Sequence, residues 1–305
     1  MKYSYNKSFK IIGGIVLSAL MLAACDDKET NAGDTGVEVE VSSEIVAMTG
    51  TQASDNQWKA NDAIGLFMVK AGKGIVVNMA SNQKFVTSGD GAFGPAQGRV
   101  TFPISGEKVD FLSYAPYRDL VYDFIYPIAL ADQASEAVAP LMYAERVRDK
   151  DAGTPQVKFS FRHQLAKLVM KVSAGEGIPN LDGLSIRIKG MNTGAEFDLL
   201  EGVLDVKLSV AEIIPAQAGT AVYQALLLPT EADLTAAHVV DFTIPGNTYT
   251  WNMTDDIAKI EKAKIYEFDI AVNRAGISVS GTIRDWVDSE WVVVSPDKHY
   301  TLYCK

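Results

Sequence analysis

The sequence predicts an all-β protein built from antiparallel sandwiches. Three observations lead there. The stretch Val37-Glu38-Val39-Glu40-Val41 alternates apolar and charged residues at period two, the mark of a half-buried strand. Short apolar or alternating segments recur down the chain between clusters of Gly, Pro, Asn and Asp. Long amphipathic helices alternating with strands, which an α/β nucleotide-binding fold requires, are missing.

The N-terminus has a different character. Residues 1–10 are polar and carry Lys2, Lys7 and Lys10 with no acid. Residues 11–22, IIGGIVLSALML, form an apolar run of about a dozen, whereas a bilayer takes roughly 20 residues. The run has the length of a signal-peptide h-region. The boundary Leu22-Ala23-Ala24-Cys25 resembles a bacterial lipobox. That resemblance implies a diacylglycerol on the Cys25 sulfur and a further acyl chain on the new N-terminus. Two or more acyl chains anchor a protein stably where one does not. Residues 1–24 are therefore expected to be a lipoprotein signal peptide. Residues 25–36, polar and without an apolar run, are expected to be a flexible tether. Asp26-Asp27-Lys28-Glu29 resembles the acidic tag that sends lipoproteins to the outer surface of some bacteria. The expected location is the cell surface, on the outer membrane, lipid-anchored at Cys25.

Charge and cysteine content narrow the function classes. The net charge of −10 becomes −13 once residues 1–24 and their three lysines are set aside. An acidic body argues against a nucleic-acid partner, which needs a basic face. The 305 residues suffice for about two domains. Cys25 and Cys304 are the two cysteines. With lipid on Cys25, no intrachain disulfide is possible, and stability must come from packed cores.

Along the body, strands are expected at 63–69, 75–79, 84–87, 99–104, 108–114 and 157–161. Further strands are expected at 165–172, 184–188, 203–210, 222–228, 239–244, 265–272, 276–283 and 291–294. A short helix is expected over 132–143, interrupted by Pro140. Another is expected to start near Thr254, with Thr254 as its N-cap. The polar run from Arg148 to Pro155, RDKDAGTP, reads as a linker. It divides the body into an N-terminal domain over 37–155 and a C-terminal domain over 156–305.

Chemistry-bearing patterns are weak. Gly89-Asp90-Gly91-Ala92-Phe93-Gly94 fits a dinucleotide fingerprint in spelling, but Pro95 and a strand follow it, so it reads as a hairpin loop. His163, His238 and His299 are scattered and lack metal-ligand spacing. Nucleophile elbows and zinc-protease motifs are missing, so neither enzymatic activity nor a metal or cofactor is expected. Trp58, Trp251, Trp286 and Trp291 sit among strand and turn residues, where core packing is the expected use. A row of exposed Trp or Tyr residues would instead mark a glycan-binding lipoprotein.

Several phrases then carry a family resemblance. Trp58-Lys59-Ala60-Asn61-Asp62-Ala63-Ile64-Gly65-Leu66-Phe67 resembles the W-x-x-G-D-x-I-G opening of fimbrillin-like domains, with Asn61 where Gly is usual. Phe111-Leu112-Ser113-Tyr114-Ala115-Pro116-Tyr117 is similar to their F-x-x-Y-x-P-Y strand. Phe159-Ser160-Phe161-Arg162-His163-Gln164-Leu165-Ala166-Lys167-Leu168 is similar to F-x-F-x-H-x-L-A-K-L. The closing phrase runs from Tyr266 through Gly276 to Asp285-Trp286. The phrases stand in the family's order over about 58 to 286.

The resemblance implies two transthyretin-like β-sandwich domains in tandem and a structural or adhesive role in a type V pilus. It implies subunits that travel as lipoproteins, lose an N-terminal strand to a protease, and accept a strand from a neighbouring subunit. The strand at 37–41 and the residues around 44–48 are candidates for the removable part. The tail with Trp291, Val292, Val293 and Val294 is the candidate donor strand. The expected partners are other pilus subunits, the outer membrane through the lipid, and a host or bacterial surface glycan or protein. No arginine lies between Cys25 and Arg99. Cleavage after an arginine, which the resemblance implies for stalk pilins, thus has no site near that strand. Either another protease cuts, or the subunit keeps its lipid as anchor subunits do.

Overall fold

The computed structural model describes residues 36–46, 58–135, 138–287, 293–294 and 300–301. The expected signal peptide, Cys25 and the tether through residue 35 lie outside these residues. The chain is all-β. Its first strands are β1 (Glu40–Ile45), β2 (Ala63–Lys70), β3 (Gln83–Thr87), β4 (Ala92–Pro95), β5 (Val109–Ala115), β6 (Ile125–Ala129) and β7 (Met142–Lys150). Next come β8 (Gln156–His163), β9 (Ala166–Ala174), β10 (Ser185–Lys189), β11 (Asn192–Asp198), β12 (Val203–Val210), β13 (Ala216–Gly219) and β14 (Val222–Leu227). The last are β15 (Val239–Ile244), β16 (Asn247–Asn252), β17 (Lys264–Asn273), β18 (Gly276–Asp285), β19 (Val293–Val294) and β20 (Tyr300–Thr301).

Seven strands close a barrel in the order β1-β4-β3-β2-β5-β7-β8. A three-stranded sheet runs β12-β11-β6. The remaining body is a five-stranded sheet, β13-β14-β9-β17-β18, and a three-stranded sheet, β10-β15-β16. Pairing is not purely antiparallel, as the sequence suggested. β1 runs parallel to β8, and β17 runs parallel to β9. Both are long-range ladders, and strand direction across such a gap leaves no local trace in the sequence.

Period-two alternation sorts side chains into three cores. In β2, Ile64, Leu66 and Met68 enter the barrel core, while Phe67 and Val69 point the other way into a middle core. In β5, Phe111 and Ala115 face the barrel core and Leu112 and Tyr114 the middle one. On the far side, β9 sends Ala166, Leu168, Met170 and Val172 into the third core and Val169 into the middle one. Phe197 of β11 with Tyr126 and Ile128 of β6 cover the middle core. The phrase from Phe159 to Leu168 therefore threads all three. Phe159 and Phe161 fill the barrel, Leu165 the middle core, and Leu168 the third.

Several local expectations are corrected. Residues 148–155 are not a free linker. Strand β7 continues to Lys150, the turn at 151–155 leads into β8, and β7 pairs antiparallel with β8 in the same barrel. The barrel thus extends past residue 155, through His163. Among the described residues of 132–143 there is no helix, and Met142 and Tyr143 open β7. Near Thr254 the chain forms a short 3-10 turn over Met253–Asp255, with Asn252 rather than Thr254 in the cap position. Segments 75–79 and 99–104 form isolated bridges rather than strands. Gly89–Gly91 sit in the β3–β4 hairpin, where Asp90 Oδ1 accepts the Ala92 amide at 3.1 Å.

Phe161 is fully buried and stands edge-on to Trp58, with ring centroids 5.3 Å apart. Phe161→Ala is expected to destabilise the protein by about 3–5 kcal/mol, as aromatic truncations in packed cores do. Equilibrium urea unfolding monitored by tryptophan fluorescence measures it.

Candidate functional site

The N-terminal strand fills a groove in the barrel. β1 makes a six-position parallel ladder with β8, from Glu40↔Gln156 to Ile45↔Phe161. Its other side meets β4 at Val41↔Phe93 and Ser42↔Ala92. Upstream, Val39 N–H donates to Val100 O at 3.0 Å, and Phe102 N–H to Val37 O at 2.9 Å. Val39, Val41, Ser43 and Ile45 point inward and are buried. Burying each aliphatic chain contributes about 1.5–3 kcal/mol. Beneath them lies an aromatic floor, in which Trp58 meets Phe93 edge-on at 5.1 Å and Phe161 at 5.3 Å. One contact is poor. The Ser43 hydroxyl is buried without a hydrogen-bond partner, and an unmet buried group of this kind costs about 1–3 kcal/mol.

The outward face of β1 is polar and tied to β8. Gln156 Nε2 donates to Glu40 Oε2 at 3.0 Å, Ser160 Oγ donates to Glu44 Oε1 at 3.0 Å, and Lys158 Nζ lies 3.0 Å from Glu44 Oε2. Glu38 pairs with Arg99. Of the pattern Val-Glu-Val-Glu-Val, Val39 and Val41 enter the core, whereas Val37 stays exposed, and the strand runs from Glu40 to Ile45 rather than over 37–41.

The motif residues brace this groove and the middle core. Asp62 Oδ2 accepts the Lys59 amide at 2.9 Å, closing the turn that follows Trp58. Asn61 in that turn has φ +74. That region favours Gly, then Asn, so Asn61 suits the turn. Gly65 faces Tyr114 across the β2–β5 ladder, and a Cβ on Gly65 would overlap the Tyr114 ring. The opening motif and the F-x-x-Y strand therefore dock directly on each other. Tyr114 Oη donates to Asn82 Oδ1 at 2.7 Å, and burial pushes its pKa up. Phe111 is fully buried and meets Phe102 edge-on at 5.7 Å. His163 is fully buried and stacks on Trp286, with centroids 3.7 Å apart and planes 11° apart. Lys167 Nζ lies 5.3 Å from the Trp286 ring centroid. The Trp286 amide donates to Ala263 O, and the Ala263 amide to Leu165 O, each at 2.9 Å.

The remaining sequence candidates fall elsewhere. Trp58, Trp251 and Trp286 are buried. Trp291 and Val292 lie outside the described residues. Val293–Val294 pair with Tyr300–Thr301 as a two-stranded ladder. What the sequence reading missed is β4, one wall of the groove. Three of its four residues, Ala92 to Gly94, belong to the Gly-rich phrase read as a hairpin loop, and Phe93 was the signal available.

The Lys158 hydrogen bond is the main cause that holds the Glu44 carboxyl below its ordinary pKa. A lowered folded-state value means that Glu44 contributes stability above the ordinary glutamate range. That contribution is lost as pH falls through the lowered value. Hydrogen-exchange protection of the β1 amides, corrected for intrinsic rates, is expected to fall in that acidic window before protection of β2 and β5 does. Glu44→Gln is expected to remove the step.

Comparison with known proteins agrees with this architecture. The sequence profile described as fimbrillin-like matches residues 51–286. A Bacteroides uniformis protein named as the fimbrium subunit Fim1C is 28% identical over 288 residues, spanning 89% of this chain and 93% of that protein. A crystal structure described as a cell adhesion protein from Bacteroides uniformis superposes with a TM-score of 0.67 at 26% identity, over 83% of this chain and 99% of that one. Another, from Bacteroides ovatus, has the same fold with a TM-score of 0.61 at 16% identity, over 83% of this chain and 98% of that one. A profile match running from residue 51 to Trp286 covers most of the molecule, and the chain belongs to the fimbrillin-like family.

Proposed function

We propose that this chain is a structural or adhesive subunit of a surface fimbrium, assembled by strand donation, with no catalytic role. The observation that carries the reading is β1. It is an N-terminal strand whose inward residues Val39, Val41, Ser43 and Ile45 occupy a groove between β4 and β8. Its ladder to β4 covers two positions, and its Ser43 hydroxyl is unmet. Such a strand is held well enough to keep the groove filled and poorly enough to be exchanged. Its loss would open an apolar slot flanked by unpaired amides and carbonyls, which an extended segment of another subunit satisfies. The tail around 289–304 is the donor in this reading, because Trp291, Val292, Val293 and Val294 supply an apolar strand at the opposite end of the sequence. Such contacts are head-to-tail and do not close. We read the body as two domains whose shared boundary lies between β8 and β9, and the chain as exported to the cell surface and tethered to the outer membrane through Cys25. The lipobox spelling Leu22-Ala23-Ala24-Cys25 supports the tether.

Two measurements test this. A form lacking residues through Val46 is expected to bind a peptide copied from 289–304 in fluorescence titration, while the intact chain does not. Proline at the centre of the peptide is expected to abolish binding, because it removes a ladder amide. A shortened form that folds and ignores the peptide would overturn strand donation. For the anchor, Cys25→Ala is expected to release the protein from membranes and to end incorporation of labelled fatty acid. Continued labelling of the variant would exclude lipidation at that residue.

A further inference from the structure

Strand β12 is the outer strand of the sheet β12-β11-β6, and among the described residues it pairs with β11 alone. Among the described residues, one edge of this eight-residue strand thus has amides and carbonyls that no other strand pairs. Long edges of this kind template pairing with another chain unless charge or proline blunts them. Here the edge is also apolar. Val203 is 54% exposed, Leu208 97% and Val210 68%. A groove of about 460 Å³ runs beside it, lined by Met191, Leu204, Val206, Leu208, Leu228 and Pro229 among others.

The order of residues selects the occupant. Leu204-Asp205-Val206-Lys207-Leu208 is symmetric in apolar and polar character about Val206, and antisymmetric in charge. Consider two copies of β12 laid antiparallel on a twofold axis at Val206. Asp205 of each copy then faces Lys207 of the other, Leu204 faces Leu208, and Val206 faces itself. Opposite charges directly across an antiparallel pair stabilise it, and like charges destabilise it. In the single chain Lys207 Nζ lies 3.0 Å from Glu196 Oε2 and also pairs with Asp205. Glu196 sits opposite Asp205 on β11, so two carboxylates share one ammonium on that face. A facing copy brings a second cation to each Asp205. On the other face, Leu204 and Val206 pack on the middle core, whereas Leu208 projects beyond it. The second copy's Leu208 would lie beside Leu204, at the mouth of the groove. The register shift after Lys207 in the β11–β12 pair sets the end of the regular segment.

We infer that β12 is a self-recognition edge. Two copies of this chain pair through Leu204–Leu208 and join their sheets into one continuous six-stranded sheet, β6-β11-β12 meeting β12-β11-β6. The interface is isologous and closes at two. It is independent of the groove that β1 fills, which belongs to a different sheet.

Sedimentation of the purified protein over a concentration series, in reducing buffer to exclude Cys304 crosslinks, tests the inference. A monomer–dimer equilibrium with no larger species is expected. Asp205→Lys and Lys207→Asp, each alone, are expected to weaken association about thirtyfold, because two cross-strand pairs change sign. The double variant D205K/K207D is expected to dimerise like the parent. An equimolar mixture of the two single variants is expected to form heterodimers, since one strand then carries two acids and the other two lysines. Both side chains are exposed, and circular dichroism checks that the variants keep the fold. A parent protein that stays monomeric throughout overturns the proposal. So does a dimer indifferent to the single charge reversals, or a double variant that fails to recover. None of these results bears on strand donation, which is read from peptide binding to the form lacking β1.

Discussion

Strands β2 and β5 are buried on both faces, and the other elements are arranged around that condition. A strand has two sides, and period-two alternation ordinarily gives one to the core and one to water. Ile64, Leu66 and Met68 on one side and Phe67 and Val69 on the other leave β2 no solvated face. The barrel must then close on one side, and a second layer must cover the other. That layer combines the next strand in the chain, β6, with distant β11, and β9 and β14 lie behind them. The close fit of Gly65 against Tyr114 fixes the register of the two shared strands. His163 on Trp286 and the Ala263 hydrogen bonds fasten the passage from β8 to β9, where the chain leaves one core for the next.

Against this framework the periphery carries the candidate interaction surfaces. β1 is a core strand by burial but peripheral by connection, since the ladders that hold it are to β8, β4 and residues 100–102. Removing it would leave β2, β5, β7 and their partners paired. β12 is the reverse case, a strand secured on one side whose free edge carries exposed aliphatic residues. The first geometry suits exchange between subunits in a chain, and the second suits a closed pair. The two lie on separate sheets, so one contact does not preclude the other.

Much of the fold could be read from local pattern. β12 and β15 were expected at their observed bounds, because both alternate, β12 starts after Gly202 and β15 ends at Pro245-Gly246. Two of the strands that escaped notice show why local pattern falls short. β6 contains Pro127, which reads as a strand breaker but is tolerated on an edge strand. β7 ends in Arg146-Val147-Arg148-Asp149-Lys150, whose last three residues open the polar run that reads as a linker. Asp110, 1% exposed, draws that segment in: Arg146 Nη1 lies 3.5 Å away, and the Asp149 amide donates to its Oδ1 at 2.9 Å. A buried carboxylate on one strand thus recruits charged residues on another, and neither segment shows this alone.

By itself the sequence determined the all-β class, the alternating faces of β1, and the family, through phrases such as Trp58 to Phe67 and Phe159 to Leu168. These are properties of neighbours along the chain: side-chain alternation, turn chemistry at Asn61 and Asp62, and residue order. The tertiary structure decided which strands share a core, that β1 lies parallel to β8, and that β12 is left as an edge. Those outcomes depend on ladders between residues far apart in the chain, such as Val41 with Phe93 and Val157. Ladder hydrogen bonds join backbone groups common to every residue, so the sequence records which face a side chain takes but not which strand lies beside it.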